Sequence, residues 1–222
     1  MSDYIKKQVE IYEKQFLEHG DSPDGTFNQN PVIQNLRFER LLKQFNFNEN
    51  SYTIHDVGCG ICDLYEYMKQ QNMHVNYSGT EIVQAMKDLA QKKYPEIEIA
   101  IRDVIKEDVK DTYDIVVLSG TFNLPGEVSR KDWKQFTRDM IKSMFDMCEV
   151  GISFNFLSTD AEFYNDLMYY ESPQEIVDFC SKELSRFVTL DHSYPLFEQT
   201  ITVLKKEYVE SIYSDKQLKK YF

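Results

Sequence analysis

The sequence predicts an α/β fold built on a doubly wound, mostly parallel sheet. Apolar strand-like runs alternate with helix-like segments from residue 52 onwards, and the first run leads through a glycine turn directly into a helix. Residues 113–119 (Tyr-Asp-Ile-Val-Val-Leu-Ser) are typical of a strand covered on both faces. Since no proline- or serine-rich linker divides the 222 residues, one domain is expected.

The first part of the chain, 1–50, is predicted to form a helical cap. Its apolar positions recur every three or four residues on one face of a helix: Ile5, Val9, Tyr12 and Phe16. This helix is expected to end near His19, and a second helix to begin at Pro31 after a turn-rich stretch. The cap precedes an α/β core over 51–206 and a C-terminal helix over 207–222.

Seven strands and four intervening helices are predicted in the core. The strands lie near 52–57, 74–79, 96–101, 113–119, 149–156, 186–192 and 198–205. The helices lie near 62–70, 82–93, 129–147 and 173–184. The last two strands are joined by a connection too short for a parallel crossover, which needs about a dozen residues. The sheet is therefore expected to end in an antiparallel hairpin.

Composition narrows the class of protein. The 37 acidic residues against 25 Lys and Arg give a formal charge of -12, which argues against general nucleic-acid binding. Neither a secretory leader nor a run of about 18 apolar residues is evident, so a cytoplasmic protein without membrane contact is expected, as a monomer or homodimer. Cys59 and Cys62 are interpreted as small buried residues rather than as a metal or redox pair.

The segment Asp-Val-Gly-Cys-Gly, residues 56–60, is predicted to bind a small-molecule cofactor. Gly58 and Gly60 permit a sharp turn on which a ligand can lie, and Asp56 can accept hydrogen bonds from an ammonium or hydroxyl group. The next helix, beginning near Cys62, directs free N–H groups at an anionic group. A dinucleotide is disfavoured because Asp63 occupies the position of the third fingerprint glycine.

This motif resembles the first motif of class I S-adenosylmethionine-dependent methyltransferases, although Cys62 stands where that family usually has Gly. The resemblance implies a Rossmann-like, seven-stranded sheet, with S-adenosylmethionine as cofactor and S-adenosylhomocysteine as product. A carboxylate at Glu81 can accept from two ribose hydroxyls, in dinucleotides as well as in this cofactor. By resemblance, Asp103 and Val104 contact adenine, and the backbone near Gly120 passes the sulfur and the adenosine.

Segments nearer both ends of the chain resemble a bacterial branch of small-molecule methyltransferases: 19–20, 34–38, 153–160, 169–173 and 192–198. Arg37 is expected to clamp the methionine carboxylate, the alternative being an exposed or surface-paired arginine. Tyr12 could close over the cofactor or only pack. The predicted cofactor-binding residues are Tyr12, Arg37, Asp56, Gly58, Cys59, Gly60, Glu81, Ile82, Asp103, Val104, Ser119 and Gly120.

The predicted reaction is methyl transfer to a small-molecule acceptor, at a hydroxyl of a sugar or metabolite. His192 is the predicted base, the alternative being a structural histidine, and Tyr194 and Asp160 are predicted to join it in loops over the sheet. No set of hard-cation ligands can be assembled, so metal dependence is disfavoured. The alternatives are N- or carboxyl-methylation, or a catalytically silent module that binds S-adenosylmethionine.

Overall fold

The computed structural model describes residues 3–22, 25, 30–47, 50–107 and 110–222. Its helices are α1 (Asp3–His19), α2 (Pro31–Leu42), α3 (Asp63–Gln70), α4 (Gln84–Lys93), α5 (Arg130–Asp146), α6 (Pro173–Glu183) and α7 (Lys206–Ile212). Its strands are β1 (Tyr52–Val57), β2 (Val75–Glu81), β3 (Glu98–Ile101), β4 (Tyr113–Leu118), β5 (Cys148–Ser158), β6 (Tyr170–Glu171), β7 (Val188–Asp191) and β8 (Glu198–Leu204).

The strands form one sheet in the order β3-β2-β1-β4-β5-β8-β7. The strands β1 to β5 pair in parallel, whereas β8 is antiparallel to both β5 and β7. The predicted α/β class, the mostly parallel sheet of seven strands and the C-terminal antiparallel hairpin are confirmed. An eighth strand, the two-residue β6, pairs with β5 beside this path, and it is too short to leave a sequence pattern.

Both faces of the sheet are covered, as the apolar run of β4 predicts. Val116 and Leu118 belong to the hydrophobic cluster on the side of α5, whereas Ile115 and Val117 belong to the cluster on the side of α2 and α3. These four side chains are completely buried. Alternate residues of a strand point to opposite faces, so a continuous apolar run is what a two-sided sheet requires.

The predicted ends of the first two helices are confirmed, and the predicted C-terminal helix is too long. Gly20 ends α1 in the left-handed conformation, and the Asn30 side chain caps α2 by accepting from the Val32 N–H. Instead of a helix over 207–222, α7 ends at Ile212. The Asp215 carboxylate then accepts from the Gln217 N–H, a local turn that competes with helix, and a 3-10 turn follows at Lys219–Tyr221.

None of the helices in the described residues is long and apolar enough to cross a membrane.

Candidate cofactor and acceptor site

A cavity of about 310 Å³ lies at the carboxyl ends of the parallel strands. This is the edge at which open α/β sheets bind ligands, and the volume is at the lower end of small-molecule sites. All the residues predicted to bind the cofactor line it: Tyr12, Arg37, Asp56, Gly58, Cys59, Gly60, Glu81, Ile82, Asp103, Val104, Ser119 and Gly120. The residues chosen from the sequence therefore lie around one cavity, although they come from two helices, two strands and the loops that follow β1, β2, β3 and β4.

The glycine loop after β1 is held in left-handed backbone conformations. The φ angles are 74° at Gly58, 55° at Gly60 and 66° at Cys62. A Cβ at Gly58 would lie 2.8 Å from the Thr121 Oγ1, so glycine is required there on two grounds. The conformation at Cys62 is one that glycine adopts most easily, which accounts for the glycine usual at this position in the family it resembles.

The two cysteines of the loop are buried. A hydrogen bond with Cys62 and burial together raise the pKa of the Cys59 thiol well above its usual range, so that the thiol stays protonated. Cys59 also packs against β2, because a Cβ at Gly79 would lie 2.7 Å from its Sγ. In the described part of the chain, no group of three or more His, Cys, Asp or Glu residues is arranged to hold a metal ion.

Asp56 is a buried carboxylate at the end of β1. The Tyr77 hydroxyl donates a hydrogen bond of 2.6 Å to its Oδ2. Burial raises the pKa of Asp56 to about 7, with smaller contributions from Glu81 and Asp63, while the bond from Tyr77 opposes the rise. An ammonium group placed beside a buried carboxylate of this kind would strongly stabilise its charged form.

Glu81 ties the glycine loop to the end of β2. Its carboxylate accepts from the backbone N–H groups of Gly60 (2.7 Å), Ile82 (2.7 Å) and Val83 (2.9 Å). Burial raises its pKa, and these three hydrogen bonds oppose the rise. Since a carboxylate offers about four acceptor positions, binding both ribose hydroxyls would require it to release one backbone donor. Tyr12 lies close by, and burial and the charge of Glu81 raise the pKa of its hydroxyl.

Asp103 supplies an unused acceptor at the end of β3. Its Oδ1 accepts from the Ile105 N–H at 3.3 Å, whereas its Oδ2 is buried without a hydrogen-bond partner among the described residues. An unpaired buried acceptor that lines a cavity is suited to an N–H group of a ligand. The predicted adenine contact remains a prediction, and this geometry fits it.

Asp103→Ala is expected to weaken binding of S-adenosylmethionine by about 10- to 150-fold, because a hydrogen bond to a charged group contributes about 1.5–3 kcal/mol. Asp103→Asn should lose less, since an amide oxygen can still accept. Isothermal titration calorimetry on the folded variants measures both effects. The exposed Asp88→Ala on α4, which accepts from Gln84 outside the cavity, is the control. Unchanged affinity in Asp103→Ala would contradict the adenine assignment.

Arg37 is engaged with Glu198, a residue that the sequence reasoning did not select. Its Nε lies 2.8 and 2.9 Å from the two carboxylate oxygens of Glu198. Asn155 donates to the same carboxylate at 3.1 Å and accepts from the Gly120 N–H at 2.9 Å. Arg37 therefore has a buried partner already, and clamping the cofactor's carboxylate would use the donors of its Nη1.

The three residues predicted as catalytic do not line the cavity. His192 and Asp160 are exposed, and Tyr194 is buried with its hydroxyl 2.9 Å from the Thr200 Oγ1. The predicted placement of His192, Tyr194 and Asp160 is corrected accordingly. The turn between β7 and β8 lies at the far edge of the sheet, where its residues pack on α2: the Tyr194 ring lies under Arg40, 5.6 Å from the guanidinium carbon to the ring centroid.

Gln8 is a further cavity residue that sequence reasoning missed. It is 4% exposed, and both polar atoms of its carboxamide are buried without a partner among the described residues. Its Nε2 lies 3.5 Å from the position that a Cβ at Gly126 would take, which places it beside the loop that follows β4. The only signal in the sequence was a polar residue close to the apolar stripe of α1.

The ionisable residues of the cavity wall are mostly acidic. Among the described lining residues, five are carboxylates and two are arginines: Asp56, Asp63, Glu81, Asp103 and Glu198 against Arg37 and Arg102. None of the four histidines lines the cavity. Such a wall favours a cationic ligand and disfavours a pyrophosphate, which needs backbone and cationic donors in excess.

Comparisons with known proteins agree with this geometry. No protein-family model matches the chain. A protein of Mycobacterium tuberculosis named "Putative methyltransferase Rv1506c" is 28% identical over 156 residues, which are 69% of this chain and 93% of that protein.

Solved structures of low sequence identity share the fold. The magnesium protoporphyrin IX methyltransferase of Synechocystis with bound S-adenosylmethionine has a TM-score of 0.67 at 12% identity, over 93% of this chain and 99% of that chain. The N-methyltransferase NodS of Bradyrhizobium japonicum, in complex with S-adenosylhomocysteine, has a TM-score of 0.61 at 11% identity, over 92% of this chain and 100% of that chain.

The sheet order and the glycine loop agree with these similarities. The chain is similar in sequence to a putative methyltransferase and shares its fold with S-adenosylmethionine-dependent methyltransferases.

Proposed function

We propose that this enzyme transfers the methyl group of S-adenosylmethionine to a hydroxyl of an uncharged small molecule, a sugar or another metabolite. The charge of the cavity wall, five carboxylates against two guanidinium groups, carries this proposal. The cofactor itself is net positive, because its sulfonium and ammonium outweigh its carboxylate. An anionic acceptor would face more carboxylates than guanidinium groups, which makes carboxyl methylation the less favourable alternative.

We use the order of the strands to propose a cofactor side and an acceptor side of the cavity. Glu81 ends β2 and Asp103 follows β3 on one side of the glycine loop, whereas Leu157 and Glu198 belong to β5 and β8 on the other. We assign the adenosine to the first side and the acceptor to the second. In this assignment the cap helices α1 and α2 and the core act together as one methyltransferase domain over 1–222.

Positioning is the main contribution that we assign to the protein. The acceptor oxygen bonds to the methyl carbon while the carbon–sulfur bond breaks. The electron pair of the broken bond stays on sulfur, which gives S-adenosylhomocysteine. Holding the two reacting atoms about 3–3.5 Å apart supplies much of the acceleration. Glu198 is the carboxylate on the acceptor side that can receive the hydroxyl proton, in place of His192, which does not line the cavity.

Mass spectrometry of reactions with matched acceptors tests the proposal. The purified enzyme would be given S-adenosylmethionine with neutral sugars, the corresponding amino sugars and the corresponding sugar acids. We expect S-adenosylhomocysteine and an O-methylated product with members of the neutral set. Turnover only with the amino sugars or the acids would overturn the hydroxyl assignment. Cofactor binding without turnover on any acceptor would instead favour the silent binding module.

Gln8→Leu is expected to raise KM for the acceptor identified in that screen by about 10-fold, because a lost hydrogen bond contributes about 0.5–1.5 kcal/mol. The Kd of S-adenosylmethionine should stay within about twofold, since Gln8 lies beside Gly126, further along the loop after β4 than Ser119 and Gly120, which are assigned to the cofactor. Steady-state kinetics and calorimetry give the two quantities. The control is Gln135→Leu on α5, an exposed glutamine bonded only to Asp139. A change confined to cofactor affinity would assign Gln8 to the cofactor instead.

A further inference from the structure

We propose that Tyr77 is a positioning residue, which keeps Asp56 oriented and ionised for the ammonium group of the cofactor. This inference deepens the proposed function and rests on it. Tyr77 does not line the cavity, so it can act on the cofactor only through Asp56. It is buried on β2, and its ring packs against Tyr65 with 5.1 Å between the centroids.

The pairing of β1 with β2 fixes the contact between the two side chains. Ile54 pairs with Tyr77 and Asp56 pairs with Gly79, so Tyr77 lies two residue pairs before Asp56 on the neighbouring strand. Its hydroxyl reaches forward to the Asp56 Oδ2 at 2.6 Å. Only one carboxylate oxygen is used in this bond, and the acceptor positions that remain are available to an ammonium.

The surroundings of Asp56 make this bond important. The ionisable groups that face it are Tyr77 and Glu81 from β2, Asp63 from α3, and the Cys59 thiol from the glycine loop. Glu81 and Asp63 are both carboxylates that disfavour its charge. Among the described residues, no other side chain donates a hydrogen bond to Asp56. Tyr77 is therefore the group that stabilises the charged form before the cofactor arrives.

The test is the pH dependence of S-adenosylhomocysteine binding, measured by calorimetry on the cofactor-free enzyme between pH 6 and 9. This probe carries the same amino and carboxylate groups as S-adenosylmethionine and no reactive sulfonium. Tyr77→Phe removes the hydroxyl and keeps the ring. We expect the ratio of its Kd to that of the wild type to be near one at pH 9 and to reach at least about 10-fold at pH 6. Taking the ratio cancels the titration of the ligand's own amino group.

Tyr94→Phe is the matched control, because Tyr94 donates an equivalent bond of 2.9 Å to Glu66 outside the cavity. The ratio of the Kd of Tyr94→Phe to that of the wild type should stay near one at every pH. In an Asp56→Asn background, Tyr77→Phe should produce no further pH-dependent loss. A second variant, Tyr77→Met, serves if the phenylalanine variant does not fold.

The outcomes separate this inference from the proposed function. A ratio that does not change with pH, including a uniform loss at all pH values, would assign Tyr77 a purely structural role and overturn the inference. Failure of the wild-type protein to bind the probe would overturn both the cofactor assignment and the role of Tyr77. If the wild type binds the probe and Tyr77→Phe loses affinity at the same acidic pH as the wild type, only the role of Tyr77 is overturned.

Discussion

Glu198→Ala is expected to lower the free energy of unfolding by about 3 kcal/mol, because it leaves the guanidinium of Arg37 without its buried partner. The Glu198 side chain is 3% exposed and that of Arg37 is 23% exposed, so water can replace little of the lost interaction. Asn155 would lose the acceptor for its amide group in the same change. Urea denaturation at neutral pH measures the loss.

Two control variants are needed to interpret the loss of stability in Glu198→Ala. Glu175→Ala breaks an ion pair of 2.8 Å with Lys134 on the surface, and its cost should stay below about 1 kcal/mol. Replacing Arg37 and Glu198 together by methionine should restore most of the stability, because no charge is then left unpaired. A loss in Glu198→Ala no larger than that of the surface control would show that the pair is effectively solvated.

Asp56→Asn is expected to move cofactor affinity and protein stability in opposite directions. Affinity for S-adenosylmethionine should fall by about 10- to 150-fold, since a hydrogen bond to a charged partner contributes about 1.5–3 kcal/mol. The cofactor-free protein should become more stable above pH 7 by roughly 2–4 kcal/mol, because the buried charge is removed. The asparagine oxygen can still accept from Tyr77.

The sign of the stability effect follows from the pKa of Asp56. It is raised to about 7 in the folded protein, whereas an unfolded aspartate titrates near pH 3.9. The folded state therefore binds more protons between these values, and wild-type stability falls as the pH rises through this window. The advantage of Asp56→Asn should be absent below about pH 4 and complete above about pH 7.

Urea unfolding of the cofactor-free proteins at several pH values measures this difference. The exposed Asp160→Asn serves as the control and should change neither stability nor affinity. An Asp56→Asn variant that is less stable than the wild type at pH 8 would contradict the buried-charge argument. Unchanged affinity would contradict the assignment of Asp56 to the cofactor.

Three acidic residues of the cavity wall could be predicted because each lies at or just beyond the end of a parallel strand. Asp56, Glu81 and Asp103 end or follow β1, β2 and β3, and the carboxyl ends of parallel strands meet at one edge. Local patterns therefore sufficed. The hydrogen bonds that occupy Glu81 and Asp56 depend on backbone and tyrosine donors from neighbouring segments, and no spacing in the sequence indicates these bonds.

The acceptor side could not be predicted in the same way. His192 was chosen for its chemistry and its place at a strand end, but the strand order puts β7 at the edge of the sheet, one strand beyond β8. Glu198, at the start of the antiparallel β8, reaches the cavity instead. Its partner Arg37 is 161 positions away, a separation over which a sequence pattern carries no pairing information.

The distance between Arg37 and Glu198 along the sequence also affects when their contact can form during synthesis on the ribosome. The ribosome releases α2 long before β8, so Arg37 has no carboxylate partner while β1 to β5 emerge, and this part of the cavity wall can be completed only after β8 has been made. The glycine loop and its acidic neighbours, which lie within 56–103, need no such delay. The contacts of the glycine loop can thus form at an earlier point of synthesis than the pair of Arg37 and Glu198.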